Sequence, residues 1–307
     1  MSHFCLTSAD DHEHDISRSE VWALSGVLGE GRVIDVPLTV DVARAAYIPL
    51  CAERLARGPT VEAVADAISG LGLEYERFRI TLHTLPPREE IDPRSAVVDV
   101  ARYVDGTVDL DEPLNELVLI GSRDEWHFGR VVSRWDRSFR PHEHKPHVFS
   151  SSLPARISRA MVNLAATPGD TIIDPCCGVG SIPLEAWAAG MRAVGADINP
   201  KLAGMTADNL AHFGWPRWVC AADAGTFGAR GDVVVTDFPY GRQSTREDGL
   251  YERLLANFRC LAPKLVLVVA EDVSDLLEQA GYRLTHVTRV PKGHEFERRI
   301  HVAEVVE

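Results

Sequence analysis

No apolar run in the 307-residue sequence approaches the roughly 20 residues needed to cross a bilayer as a helix. The opening stretch, MSHFCLTSADDHEHD, is polar and acidic where a secretory leader is basic and then apolar. Both absences lead us to expect a soluble, cytoplasmic protein. Cysteine is sparse and scattered. The six residues Cys5, Cys51, Cys176, Cys177, Cys220 and Cys260 include no C-x-x-C, so neither a disulfide framework nor a zinc site is indicated, and no metal is expected. They read as small buried side chains. Internal repeats and low-complexity tracts are missing as well. Positive charge is in deficit, with 32 Lys and Arg against 45 Asp and Glu. Most of the deficit lies in residues 1–150, which carry 26 acids against 16 bases, while residues 151–307 carry 19 against 16. Such a surface repels phosphate backbones and argues against strong nonspecific nucleic-acid binding by the N-terminal half as a whole.

One stretch reverses the sign. Arg123, Arg130, Arg134, Arg137, Arg140 and Lys145 fall between Arg123 and His147 with four histidines and only four acids. It reads either as a solvated linker or as a strip that contacts phosphates beside an active site.

With 45% apolar side chains the chain can bury a core large enough for two domains, or for one with a sizeable extension. In the first half, apolar spacing predicts helices over Ser17–Leu28, Thr39–Arg57 and Thr60–Gly70. Strands are predicted over Tyr75–Leu85, Ala96–Tyr103, Asn115–Gly121 and Glu125–Val132. This is an α+β mixture over residues 1–145, and the pattern changes near Pro141–Pro146. From 146 to 307 the elements alternate. Apolar strands at Thr171–Asp174, Arg192–Ile198, Arg217–Asp223, Gly231–Gly241 and Lys264–Asp272 are separated by helices, which predicts an α/β fold with a mostly parallel sheet covered on both faces. The last two strands, Tyr282–Val290 and Arg298–Val306, have only a loop between them and read as an antiparallel edge hairpin.

The stretch TIIDPCCGVGSIPLE (Thr171–Glu185) organises this half: a strand ending in Asp174, a loop with Gly178 and Gly180, and a helix opening at Ser181. A glycine loop there lets the backbone approach a nucleotide-like ligand and aims free N–H groups at it. Alone the pattern is weak, since it lacks the third glycine of the dinucleotide fingerprint and could be a tight corner. A series of acids adds weight to it. Asp174, Asp197, Asp223 and Asp237 all fall at the carboxyl ends of strands, where such sheets bind ligands. Asp197 stands where an acid can accept from both ribose hydroxyls, and Asp223 could accept from an adenine amino group. The loop after the first strand has no lysine and no Walker pattern, so a cationic sulfonium cofactor fits the acidic mouth better than a triphosphate.

The order DPCCGVGSIPLEA, GADINP, CAADA, TDFPYG resembles the class I S-adenosylmethionine-dependent methyltransferases, a Rossmann-like fold, and more narrowly those with a D-P-P-Y type motif that methylate exocyclic amines of nucleobases. Pro146–Asp170 and His294–Val305 are similar to the approach helix and closing strand of the THUMP-containing tRNA guanosine-N2 methyltransferases that modify position 10. RFRITLHTL and VDLDEPLNELVLIG resemble the strand pattern of a THUMP domain, which that family precedes with a small ferredoxin-like domain. The resemblance implies that Asp174, Cys176, Gly178 and Gly180 shape the pocket for the methionine part of the cofactor. It implies that Asp197 with Ile198 holds the ribose side, that Asp223 with Ala224 holds the adenine, and that Phe149, Ser151 and Leu153 of the approach loop close over it. Asp237, Phe238, Pro239 and Tyr240 take the catalytic positions. Phe238 stands where the family has proline; its carbonyl can serve the same purpose, while the loss of a fixed φ predicts a looser turn.

An exocyclic guanine amine is a poor nucleophile because its lone pair is delocalised into the ring. Acceptors for its protons, the Asp237 carboxylate and the Phe238 carbonyl, would localise that pair, and Tyr240 would stack on the extruded base. A free aspartic acid, with a pKa near ~3.9, is too weak a base to remove the proton first, so loss of the proton comes late. The implied activity is guanine-N2 methylation of tRNA. An rRNA or adenine-N6 target, a noncatalytic cofactor- or RNA-binding role, and a small activating subunit are left open.

Overall fold

The computed structural model describes residues 2–8, 13–86, 92–238, 249–292 and 296–306. In the first part of the chain lie β1 (His3–Leu6), α1 (His14–Ser25), β2 (Val33–Val36), β3 (Leu50–Gly58), α2 (Val61–Ile68), β4 (Leu73–Glu74), β5 (Phe78–Thr84), α3 (Pro93–Ala101), β6 (Val104–Asp105), β7 (Asn115–Gly121) and β8 (Trp126–Arg134). A 3-10 turn at Arg140–His144 leads to α4 (Ala155–Ala165), β9 (Thr171–Asp174), α5 (Ser181–Ala188), β10 (Arg192–Asp197), α6 (Pro200–His212) and β11 (Val219–Ala221). Then come β12 (Val233–Asp237), α7 (Leu250–Leu261), β13 (Lys264–Val269), α8 (Ser274–Gln279), β14 (Tyr282–Lys292) and β15 (Phe296–Val305). Among the described residues no helix is long and apolar enough to cross a membrane.

Two compact units result. The first is built on a six-stranded sheet of order β2-β1-β3-β8-β7-β5, antiparallel except for the β5–β7 pair. β7 alternates between two cores. Leu117 and Leu119 face Val64, Ile68 and Val100 of α2 and α3, while Val118 and Ile120 face Phe4, Leu6 and Leu50.

Two sequence expectations fail here. The helix expected over Thr39–Arg57 does not form; Pro49 interrupts it, and Leu50–Gly58 instead pairs with β1 on one edge and β8 on the other. Leu50, Cys51 and Ala52 are buried in succession, so the strand lacks the two-residue alternation that would betray it. The strand expected over Ala96–Tyr103 is largely helix α3. Asp92 caps it, accepting from the N–H groups of Arg94 (3.4 Å) and Ser95 (3.0 Å), with Pro93 in the first turn. That cap outweighs the β-branched preference of the valines in the helix.

The second unit carries a seven-stranded sheet of order β11-β10-β9-β12-β13-β15-β14. Its first five strands are parallel, and β15 and β14 close it as an antiparallel edge hairpin. The strand order reverses between β9 and β12, the place where such sheets leave a crevice at their carboxyl ends.

This unit also includes α1 and Arg44–Tyr47, and its main run starts at Asp136, ahead of the change in pattern read near Pro141–Pro146. The fully buried Glu20 of α1 explains why: its carboxylate accepts from the N–H groups of Ala46 (2.8 Å) and Tyr47 (2.7 Å) and from Asn163 Nδ2 on α4 (2.7 Å). Burial raises the Glu20 pKa in spite of these donors. Covered in this way, α4 is buried at almost every position, from Ala155 through Ala165. Below it, the equally buried Arg159 donates to Glu185 Oε2 on α5 at 2.8 Å, and His142 Nδ1 meets Glu185 Oε1 at 2.7 Å.

Candidate active site

The loop after β9 turns on two glycines with positive φ, Gly178 at 55° and Gly180 at 82°. Gly180 stands at the N-terminal cap of α5, and a Cβ there would lie 2.6 Å from Thr206 Cγ2, so only glycine fits. A Cβ on Gly178 would meet nothing within 4 Å, which leaves an open cradle against the loop backbone.

The loop is held from β10 and α6. Asp197 Oδ2 accepts from Gly178 N–H at 2.9 Å, and its Oδ1 accepts from Asn199 N–H at 2.9 Å. Burial raises the Asp197 pKa against these two donors. Thr206 Oγ1 donates to the Gly178 carbonyl at 2.7 Å, and Asn209 Nδ2 to the Val179 carbonyl at 2.8 Å. Asn209 also exchanges hydrogen bonds with both backbone groups of His147, each at 2.9 Å. One side chain thus ties the base of the approach loop to the glycine loop. In the approach loop, the Phe149 N–H reaches Ser152 Oγ at 3.3 Å and the Ser152 N–H returns to the Phe149 carbonyl at 3.0 Å. Phe149 and Ser151 face solvent while Leu153 is buried.

Asp174 ends β9 and is 1% exposed. Burial pushes its pKa up to about 8, with the charges of Asp237 and Asp197 adding to the rise and hydrogen bonds from Thr236 Oγ1 and the Cys176 N–H opposing it. Cys176 and its neighbour Cys177 are held as thiols chiefly by burial. Ile198, directly after Asp197, is 72% exposed, an apolar side chain presented at the strand end.

Asp223 is engaged within the protein. Its Oδ1 accepts from the Gly225 N–H at 2.7 Å, and Arg253 Nη1 lies 3.0 Å from Oδ1 and 2.9 Å from Oδ2. These donors hold the Asp223 carboxyl below its usual pKa. The neighbouring Ala224 is buried, and its carbonyl accepts from Asn257 Nδ2 at 2.8 Å.

Asp237 ends β12, half-buried. Phe238 itself is well held. Its N–H donates to the Val268 carbonyl at 3.0 Å, a bond that proline cannot make, and its ring is buried against Tyr251 (4.7 Å) and Phe258 (5.9 Å). The turn expected to loosen beyond it runs into Pro239 and Tyr240, which lie outside the described residues.

Thr206, Asn209 and Thr236 went unread in the sequence. A signal existed: Thr206 and Asn209 are polar residues three apart on α6 that share its buried face with Ala203 and Leu210, and Thr236 is the lone polar residue between apolar Val233–Val235 and Asp237. The cysteines divide, with Cys220 and Cys260 exposed where burial was expected. At least half of the six cations in the basic stretch are paired or buried. Arg130 pairs with Glu53 at 2.8 Å, Arg134 pairs with Glu116, and Lys145 is buried with its pKa lowered by that burial. No cluster of three metal-ligating side chains occurs among the described residues.

The TrmN structure from Thermus thermophilus superposes over the full length of both chains with a TM-score of 0.51 and 21% identity, a likeness of fold. The tRNA (guanine(10)-N2)-dimethyltransferase of Methanothermobacter thermautotrophicus is 37% identical over 123 residues, 39% of this chain and 36% of that protein. The Pyrococcus abyssi protein of the same name is 26% identical over 253 residues, 75% of each chain. The chain therefore spans about a third of the first relative's length and three quarters of the second's. Residues 142–297, the run that contains the glycine loop and all four strand-end acids, match the model of the RMKL-like methyltransferase domain, and the chain belongs to that family.

Proposed function

We propose that this chain transfers a methyl group from S-adenosylmethionine to the exocyclic N2 of a guanosine in tRNA. The observation that carries the reading is the gathering of acids at neighbouring strand ends, with Asp174 close enough to Asp197 and Asp237 to feel both charges at the point where the strand order reverses. The donor set suits this cofactor. The open cradle at Gly178 accommodates close approach, the exposed Ile198 offers an apolar face, and the acids favour a cation. Asp197 would hold the ribose through the lone pairs its two backbone donors leave available. Asp223 and Ala224 would border the adenine, Asp174 and Cys176 the methionine part, and Phe149, Ser151 and Leu153 the cover. When bound, the cofactor supplies an electrophilic methyl on a cationic sulfur.

The chain's own work is to present the amine. Asp237 would accept an N2 proton and concentrate the lone pair toward the methyl. Phe238, fixed by its N–H and its ring, would offer its carbonyl as the second acceptor. The proton leaves late, toward Asp237 and then to water. The first unit, with its mixed sheet, we read as THUMP-like. The names of the relatives favour tRNA over rRNA, and such a substrate agrees with a cytoplasmic protein.

The test is methyl transfer from labelled S-adenosylmethionine to unmodified tRNA, followed by nucleoside mass spectrometry. N2-methylguanosine or its dimethyl form is the expected product. Label appearing as N6-methyladenosine, or no transfer by a chain that binds the cofactor, would overturn the assignment.

A further inference from the structure

Cys5 of β1 and Cys51 of β3 stand directly opposite each other in the antiparallel ladder. The Arg54 N–H donates to the Ser2 carbonyl at 2.8 Å, which makes those two a hydrogen-bonded pair. Counting inward, Phe4 and Ala52 form the next such pair, and Cys5 and Cys51 occupy a non-hydrogen-bonded position. The other edge of β1 agrees. Thr7 N–H donates to the Arg32 carbonyl at 2.8 Å, so the peptide groups of Cys5 point toward Ile34 of β2 and away from Cys51. Opposed residues at non-hydrogen-bonded positions have Cα atoms ~4.5 Å apart and side chains at their closest. That spacing lies inside the ~4.4–6.8 Å range of disulfides.

Both cysteines are fully buried, on the sheet face away from Phe4, Leu6, Leu50 and Ala52. Their cover on one side is thin. Val40 lies over Cys51, its N–H 3.5 Å from Sγ, and its neighbours Leu38, Thr39 and Asp41 are exposed, Leu38 by 73%. A small opening of this segment suffices to admit a small molecule.

We propose that Cys5 and Cys51 are a redox-active dithiol that a hydroperoxide closes to a cross-strand disulfide. Cys51 is the attacking sulfur. The Cys5 S–H, in first place, and the Val40 N–H, 3.5 Å away, lower its pKa against the opposing effect of burial, whereas the Cys5 thiol is raised by the same pairing and by burial. The Cys51 thiolate attacks one peroxide oxygen, the O–O bond breaks, and the leaving hydroxide takes a proton to become water. The Cys5 sulfur then attacks the Cys51 sulfenic acid; the S–O bond breaks and a second water leaves with the Cys5 proton. Two thiols lose two electrons and the peroxide gains them. The product ties β1 to β3.

The full chain, folded, is treated with hydrogen peroxide, blocked with iodoacetamide and digested with trypsin without reductant. The expected product is the peptide Met1–Arg18 joined to Ala45–Arg54, two hydrogens lighter than the sum and released by dithiothreitol. Replacing the exposed pair, Cys220→Ser with Cys260→Ser, leaves the link in place. Cys5→Ser removes it and leaves Cys51 as a sulfenic acid that dimedone traps. The oxidised chain melts ~5 °C or more higher, because a long loop of the unfolded chain is closed. If Cys220 and Cys260 oxidise while Cys5 and Cys51 remain unlinked, or if the link forms only in guanidinium, the proposal is wrong.

Discussion

Thr236 donates its hydroxyl hydrogen to Asp174 Oδ1 at 2.8 Å, tying the end of β12 to the end of β9 at the reversal of strand order. The pair holds a carboxyl whose folded pKa is about 8, against ~3.9 in an unfolded chain. Between those values the unfolded chain releases the proton that the folded chain keeps. Asp174 therefore lowers stability progressively as pH rises from about 4 to about 8, and adds no further loss above that. Asp174→Asn keeps an acceptor for Thr236 and for the Cys176 N–H but cannot ionise. It should be more stable than the parent by up to ~5 kcal/mol at pH 7.5 and close to it at pH 4, in urea titrations at several pH values. Parallel curves at every pH would mean that Asp174 titrates as an ordinary aspartate.

Asp197 holds the glycine loop through the Gly178 N–H and is the residue proposed to hold the ribose. Its loss removes the acceptor for the Gly178 N–H as well as any ligand contact. Asp197→Ala should weaken S-adenosylmethionine binding at least tenfold, from an affinity in the micromolar range, about −8 kcal/mol. Calorimetry on the two proteins measures this; equal affinities would move the cofactor elsewhere.

Asp237 is tested most finely by Asp237→Asn, which keeps shape and one acceptor oxygen but loses the charge. Methyl transfer should fall by ~10²-fold or more, with cofactor affinity and circular dichroism retained. Activity close to that of the parent would mean that positioning alone suffices.

The Arg159–Glu185 pair lies within the second unit's core, the two side chains 0% and 1% exposed. Glu185→Ala strands the guanidinium and should cost ~3–5 kcal/mol, read as a lower urea midpoint. Replacing both partners, Arg159→Met with Glu185→Leu, should cost much less than the single change. His142, which also contacts Glu185, makes the single variant more damaging still.

Much of the second unit was legible because its signals are local. Strands such as Val233–Asp237 and Lys264–Val269 are short apolar runs, and in the first of them the acid marks the carboxyl end. The site's supports were less legible. Asn209 acts on His147, 62 residues earlier, and nothing in either neighbourhood announces the other. The first unit misled where local preference and long-range pairing disagreed: Leu50–Gly58 has the alanine, leucine and arginine of a helix but is paired on both edges. At Ala96–Tyr103 the deciding residues, Asp92 and Pro93, stand just ahead of the valines that suggested a strand. At Phe238, the departure from the motif brings a hydrogen bond that proline cannot make and a ring packed on Tyr251, neither of which the motif comparison announced.

The tie from Glu20 to Asn163 spans 143 residues, which sets a delay in the making of this protein. At synthesis rates of ~5–20 residues per second, α1 waits on the order of ten seconds before its partner helix exists. Through that interval Ile16 and Val21, both fully buried in the finished fold, have no second-unit core to enter. The same span means that a fragment cut to begin at Asp136 is less than a domain. It lacks the carboxylate that Asn163 donates to and the Arg44 carbonyl that both Asn163 and Arg159 reach, so that the Asn163 amide loses both of its acceptors while Arg159 keeps only Ser138 and Glu185.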